Sequence, residues 1–499
     1  MKRLFRNLCL ASICSLTIWL GWHFSQQATS ANNPEKILHT VSRLSYGVTP
    51  GQLEQVAATG LENYIQSQLN PESIPENSLL DNRLEQLDTI ASPGIQLWRD
   101  YRVYERRLNA KGADALSIDA REQVERQRNQ LRRRIAQQAR QAHVARAVFS
   151  SRQLQEVMTD FWFNHFNVYA NKKNIRIWID DYANQIRQLA LGDFRDLLGM
   201  TARHPAMLMY LDNELNTDPK STVKFGNARG FNENYARELM ELHTLGVDGG
   251  YTQADVKALT RIFTGWGLRY NPKPEDTSGF RFFSRRHDNT TKTFLGKTIP
   301  GNGMAEGEQA LDMLASHPAT ARFISYKLAQ YFVSDRPPES LVNQLAQTFT
   351  SSNGNIKTVL DTLFHSVEFN DPQYYRAKFT TPLQYVASVI RASDIKNFKL
   401  NTLVNNIGFL GMPIYNCGTP DGYKNTESAW LSPDAMLRRL SFATNVANGQ
   451  LNKKQKPNWQ QLQQTLGNNL TPKTQKAIAQ KPDNLKSAMI LGSPEMMYR

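Results

Sequence analysis

Apolar positions recur at three-to-four-residue spacing along most of the chain, the pattern of helices with one buried face. In "GQLEQVAATGLENYIQSQLN" (51–70), Leu53, Val56, Leu61, Tyr64 and Ile65 keep that spacing after Pro50. Residues 94–150 read as a pair of long basic helices, "IQLWRDYRVYERRLNAKG" and "DAREQVERQRNQLRRRIAQQARQAHVARAVF", turning between Gly112 and Asp119. The same period predicts helices at 151–169, 175–191, 233–245, 252–266, 305–315, 317–333, 338–351, 355–366, 380–393 and 433–447. Alternation with period two is confined to "FRFFSRRHDNTTKTFLGKTIPGNG" (280–303), which predicts one small β-hairpin at about 280–300. The expected fold is mainly α: a multi-helix globular body over 35–499, with the basic helical hairpin at 94–150 and a docked C-terminal tail at 448–499.

Composition adds location and charge. With 499 residues, 40% of them apolar, the chain can bury a large core. Lys and Arg number 59 against 45 Asp and Glu, a balance that favours anionic partners and says nothing about fold. The first residues combine Lys2, Arg3 and Arg6 with the apolar run "LCLASICSLTIWLGW" and small residues near Ala28 to Ala31. That is the pattern of an export signal at 1–31, the run being short of the ~20 residues a spanning helix needs. The expected location is periplasmic or extracellular, or membrane-anchored if the signal stays uncleaved. Cys9 and Cys14 fall in the signal and leave Cys417 alone, so the mature chain has neither an internal disulfide nor a multi-cysteine zinc site.

Candidate chemistry concentrates in "FNENYARELMELHTLGVDGGYTQADV" (231–256). Wound at 100° per residue, Asn234, Arg237, Glu238, Glu241 and Thr244 share one side, and Tyr235, Ala236, Leu239, Leu242 and His243 the other. Glu233, Arg237 and Glu241 step by four and can form an ion-pair ladder. Glu238 and Glu241 could also act as acid and base or hold a divalent metal, because neighbouring carboxylates in a cleft raise one pKa. Their spacing matches neither the Glu-x-x-His diiron pattern nor the two-histidine zinc motif. Thr252 with Asp255 reads as a capping box. "TDFWFNHFNVYANK" sets His165 among aromatics, as a core residue or a cleft residue with Asp160 and Asn164. His204 precedes a proline, and His287 with Asp288 lies on the hairpin, so that each serves as turn chemistry or as a catalytic or metal-binding group. In the loop-rich 408–443 segment, Tyr423 and Trp430 are candidate binding residues at aromatic tips. Arg126, Arg128, Arg132, Arg133, Arg134 and Arg140 form a solvated face or a docking face for an anionic envelope polymer or membrane surface; export argues against nucleic acid.

"HTVSRLSYGVTP", "FWFNHFNV", "HPAMLMYLDN", "NENYARELMELHTLGVDGGYTQADV", "RFISYKLAQYFV" and "TPDGYKNTESAWLSPDAMLRRLSFA" together resemble the bacterial domain of unknown function 1800 family, from about residue 35 to the end. The resemblance implies an exported, mostly helical protein without an agreed activity, and it carries no catalytic assignment. It also implies a neighbouring co-exported sulfatase-like protein as a partner. The Cys-Gly-Thr-Pro-Asp-Gly-Tyr form of the late loop departs from the glycine- and tryptophan-rich form of many members.

Two functions are therefore expected in competition. One is a hydrolase whose cleft joins the 233–243 helix, the 159–167 helix and the 415–430 loop, with Glu238, Glu241, His165, His204, His287 or Asp288 as its working groups and Asn234 and Arg237 beside them. The other is a non-catalytic helical scaffold or binding protein. Convergence of the carboxylates on the histidines discriminates between them.

Overall fold

The expected periodicity becomes helix almost throughout, and glycine geometry decides where helices stop. Gly60, at φ +94°, ends Gln52–Thr59 and lets the chain restart as Leu61–Leu69, so the first expected helix is two. The computed structural model describes residues 33–112, 115–223, 230–467 and 470–499; the export signal expected at 1–31 lies outside the described residues. Among the described residues, no helix is long and apolar enough to cross a membrane.

The basic hairpin consists of Gly94–Leu108 and Ile118–Phe149. At 32 residues the second helix is about 48 Å long. Its Ser117 hydroxyl caps it by accepting from the Ala120 amide. The two halves of this helix differ in what they face. The first is mostly solvated, whereas Ile135, Ala139, Ala142, Val144, Ala145 and Val148 are buried under Pro382–Ser393 and Leu400–Phe409. Alanines at these positions let the backbones approach closely. Buried apolar residues from Ile37 to Met497 form one continuous cluster, with Trp98, Trp162 and Trp266 among its largest enclosed side chains.

Strand structure is small but divided. β1 (Trp266–Leu268) pairs antiparallel with β2 (Phe280–Phe282), in the register Trp266 to Phe282. β3 (Lys292–Phe294) pairs with β4 (Lys297–Ile299) across Leu295 and Gly296, both at positive φ as a two-residue hairpin turn requires. The hairpin expected at about 280–300 is thus present as β3 and β4, and β1 with β2 adds a second two-stranded sheet beside it. β2 reaches back to a strand too short to show a period, and Asp288-Asn289 links the sheets instead of turning one.

The last residues are tied to the chain at 378–380. Lys378 N–H donates to the Arg499 carbonyl (3.2 Å), Arg499 N–H to the Lys378 carbonyl (2.9 Å), and Thr380 N–H to the Met497 carbonyl (2.8 Å).

Candidate functional site

The helix Gln153–His165 carries Phe161, Trp162 and Phe163 inward, and Trp162 Nε1 donates to the Ala190 carbonyl at 3.0 Å. His165 closes this helix and is buried. Opposite it, Asn234–Glu238 passes into a π turn at Leu239–His243. The wider turn shifts the winding, so Thr244 is buried beside His243 and its hydroxyl donates to the Leu239 carbonyl at 2.7 Å. Uniform 100° winding had set Thr244 on the polar side; the π turn corrects that.

His165 Nε2 lies 3.1 Å from the His243 carbonyl oxygen, which requires the proton on Nε2 and leaves Nδ1 unpartnered. Burial, with Lys327 and His243 nearby, holds His165 well below the ordinary histidine range. His243 is brought to about 3 by burial and Lys327. Both rings are neutral at pH 7.

Between these elements and the 412–425 loop lies a cavity of about 270 Å³, lined by Asp160, Asn164, His165, Lys327, Asp421 and Tyr423 among others. Gly422 fixes the loop against the helix: a Cβ there would stand 2.3 Å from the Asn164 carbonyl oxygen, and its φ is +68°. Asn164 then clasps Tyr423 twice, accepting from its amide at 2.7 Å and donating to its carbonyl at 2.8 Å. Lys327, on Pro318–Phe332, places its ammonium 5.5 Å from the Phe323 ring centre and has no hydrogen-bond or ion-pair partner among the described residues. Burial and Lys424, opposed by Asp421, bring its amine down to about 8. No sequence motif marks Lys327; its signal is a cation in the middle of the apolar "RFISYKLAQYFV" stripe, five residues after Arg322.

The expected cleft is therefore assembled only in part. The 159–167 helix and the 415–430 loop meet, while the 233–243 helix lends the cavity Leu242. Glu238 lies in electrostatic reach of Glu241 and Asp421; burial first, then these two carboxylates, raises its pKa against Arg237. Arg237 pairs with Glu233 at 3.2 Å and Glu241 at 3.6 Å, forming the ladder. Asn234 donates to the Leu211 carbonyl at 3.2 Å. Trp430 packs 5.9 Å from Tyr423 and donates to the Lys424 carbonyl at 2.8 Å.

Two histidines stand elsewhere. His204 caps Pro205–Tyr210 through Nδ1, and its Nε2 meets Asp181 at 3.0 Å. His287 is enclosed with Glu306 (2.9 Å) and the Thr264 carbonyl (2.9 Å), and Lys292 also donates to Glu306. Asp288 accepts from Arg261 at 2.7 Å; burial raises its carboxyl, but the Arg261 and Thr290 hydrogen bonds outweigh this and bring it to about 2. Among the described residues, no group of three or more His, Cys, Asp or Glu is placed to hold a metal ion.

The basic hairpin shows a second arrangement. Its outer arginines are neutralised: Arg121 by Glu125, Arg126 by Glu122, Arg128 by Glu105 and Arg134 by Asp88. Further along, Arg132, Arg133 and Arg140 converge on Arg176 from the short turn Ile175–Ile177. Among the described residues, none of these four has a carboxylate within 4 Å. Arg132 donates to the Lys173 carbonyl and Arg140 to the Ile414 carbonyl, both at 3.2 Å, and Arg176 to Asn171. Burial and the three like charges push the Arg176 guanidinium below its usual range. Arg176 lies outside the sequence run that pointed to this face, so only folding adds it.

Comparison with curated proteins and with solved structures yields no match. The family described as "Protein of unknown function (DUF1800)" matches residues 39–498, nearly the whole chain. The chain belongs to the DUF1800 family.

Proposed function

We propose that this protein is an exported, envelope-associated binding protein that holds an anionic polymer on its arginine face. The observation that carries this reading is the gathering of Arg132, Arg133, Arg140 and Arg176 without carboxylate partners, beside a stretch where every paired arginine has one. Arg176 feels the charge of all three helix arginines, and an acidic ligand relieves that repulsion. A polymer bearing carboxylates or phosphates suits the face better than a lipid surface. On the helix Ile118–Phe149 the exposed large apolar residue, Ile118, stands at the first position, about 21 Å along the axis from Arg132 and so apart from the arginine face.

Arg132→Gln, Arg133→Gln, Arg140→Gln and Arg176→Gln combined should weaken binding of polygalacturonate roughly 10- to 100-fold at low salt, about 0.3–0.7 kcal/mol per arginine and within the range of exposed pairs. Arg121→Gln with Arg126→Gln, which removes neutralised charges, should change it less than about twofold. Equal losses in both variants would reduce the effect to net charge. Binding to phosphatidylglycerol vesicles in place of the polymer would move the reading to the membrane.

A second reading, a hydrolase, rests on Lys327. An amine near 8, free of partners and beside the neutral His165, is suited to take a proton from water near neutral pH. Across a panel of aryl and alkyl esters, hydrolysis should rise with pH around about 8 and vanish in Lys327→Met, whose fold is checked by its melting curve. A rate untouched by that substitution excludes Lys327 as the base.

A further inference from the structure

A second cavity of about 270 Å³ lies between Pro34–Leu44 and the segment ending at Arg499, apart from the arginine face and from Lys327. His39, Ser42, Ser45, Tyr46, Gln384 and Arg499 are among its lining residues. Arg499 is 7% exposed, and none of its Nε, Nη1 and Nη2 has a well-aligned hydrogen-bond acceptor among the described residues, the Tyr331 hydroxyl being a loose partner. Its guanidinium lies 4.8 Å from the Tyr331 ring centre, in electrostatic contact with that phenol. Behind it, Arg43 is fully buried; it donates from Nη2 to the Tyr374 carbonyl (2.8 Å) and the Val333 carbonyl (3.4 Å), while Nε and Nη1 have no partner. No carboxylate lies within 4 Å of either guanidinium among the described residues. Asp335, the acid felt at Arg43, is already paired with Lys378.

Enclosed guanidinium groups with idle donors are costly, because those N–H groups have left water without a replacement acceptor. His39 adds the opposite polarity. Its Nε2 lies 2.9 Å from the Phe369 carbonyl, so that nitrogen carries the proton and the unpartnered, buried Nδ1 presents a lone pair. Hydroxyls from Ser42 and Ser45 stand beside apolar Leu38, Val48 and Met496. At this volume the space is near the small end of ligand sites.

The geometry points to a binding site for a small anion that also carries a hydroxyl, a hydroxycarboxylate or hydrogen phosphate, held by the Arg499 fork with His39 Nδ1 accepting from its hydroxyl. A guanidinium fork matches a carboxylate or phosphate edge with two parallel hydrogen bonds, and Arg43 adds field from behind. The site is independent of the polymer reading, since it shares no residue with the arginine face.

The test is thermal unfolding of the full chain with sodium lactate, sodium phosphate or sodium acetate at matched ionic strength, with sodium chloride as control. Lactate or phosphate should raise the midpoint saturably, by about 2–3 °C at a hundredfold excess over Kd, and whichever does so identifies the head group. Arg499→Met should abolish the shift and, without ligand, melt at or above wild type, because it removes an uncompensated buried cation. His39→Leu should erase any preference of lactate over acetate while keeping the anion shift. The proposal is overturned if neither anion shifts the wild type beyond chloride, or if Arg499→Met shifts equally. The wild-type titration decides alone should the variant fail to fold.

Discussion

Glu306→Gln should cost about 3–5 kcal/mol of stability, the largest loss expected from a single side chain here. Glu306 is 1% exposed, and its carboxylate receives Lys292 Nζ, His287 Nε2 and the Gly303 amide at once. The Lys292 side chain is fully enclosed, so losing the carboxylate strands an ammonium in the interior. For a chain of this length each kcal/mol moves the midpoint by about 1 °C, giving a fall of roughly 3–5 °C. Glu306→Gln with Lys292→Met should recover much of it, since the stranded charge then goes too. A double variant no more stable than the single would mean the loss comes from the Glu306 cap and its packing instead of the ion pair.

Acid should unfold this protein early, through His165 and His243. Both are buried and neutral, with folded pKa values held well below the unfolded value near 6.5 and, for His243, at about 3. The sign follows from proton counting. Above pH 6.5 neither state binds the proton and the groups are silent. Below it the unfolded chain protonates while the folded one does not, so stability falls as pH falls until the folded pKa is reached. For His243, at about 1.4 kcal/mol per pH unit, this should remove about 2–3 kcal/mol between pH 6.5 and 4.5, and His165 adds a loss of the same sign. Urea unfolding from pH 7.5 to 5 measures this, and His243→Gln should flatten the slope. Unchanged slopes in His243→Gln and in His165→Gln would place the acid sensitivity elsewhere.

The helices were legible because burial of one face at a 3.6-residue period is written locally; the 94–150 hairpin and Thr252-Asp255 cap followed from it. Failures came where the partner was distant. β2 pairs with β1 across an intervening loop, and a three-residue strand carries too little pattern to register. The π turn depends on five residues adopting wider hydrogen bonding, which composition does not signal. At the site, the approach of the 159–167 helix to the late loop came from the reading of aromatics and loop tips, yet Lys327 was invisible within an apolar stripe.

By itself the sequence determined the family, the helical class, the basic hairpin and the identities of the candidate groups, because each rests on nearest-neighbour pattern or order along the chain. Only the tertiary structure decided which of those groups meet. It tied His204 to Asp181 and His287 to Glu306, brought Glu238 into electrostatic reach of Asp421, and did the same for Arg176 and three arginines about 40 residues away. Charge and hydrogen bonding act through space over a few ångströms, and chain separation carries no record of that distance.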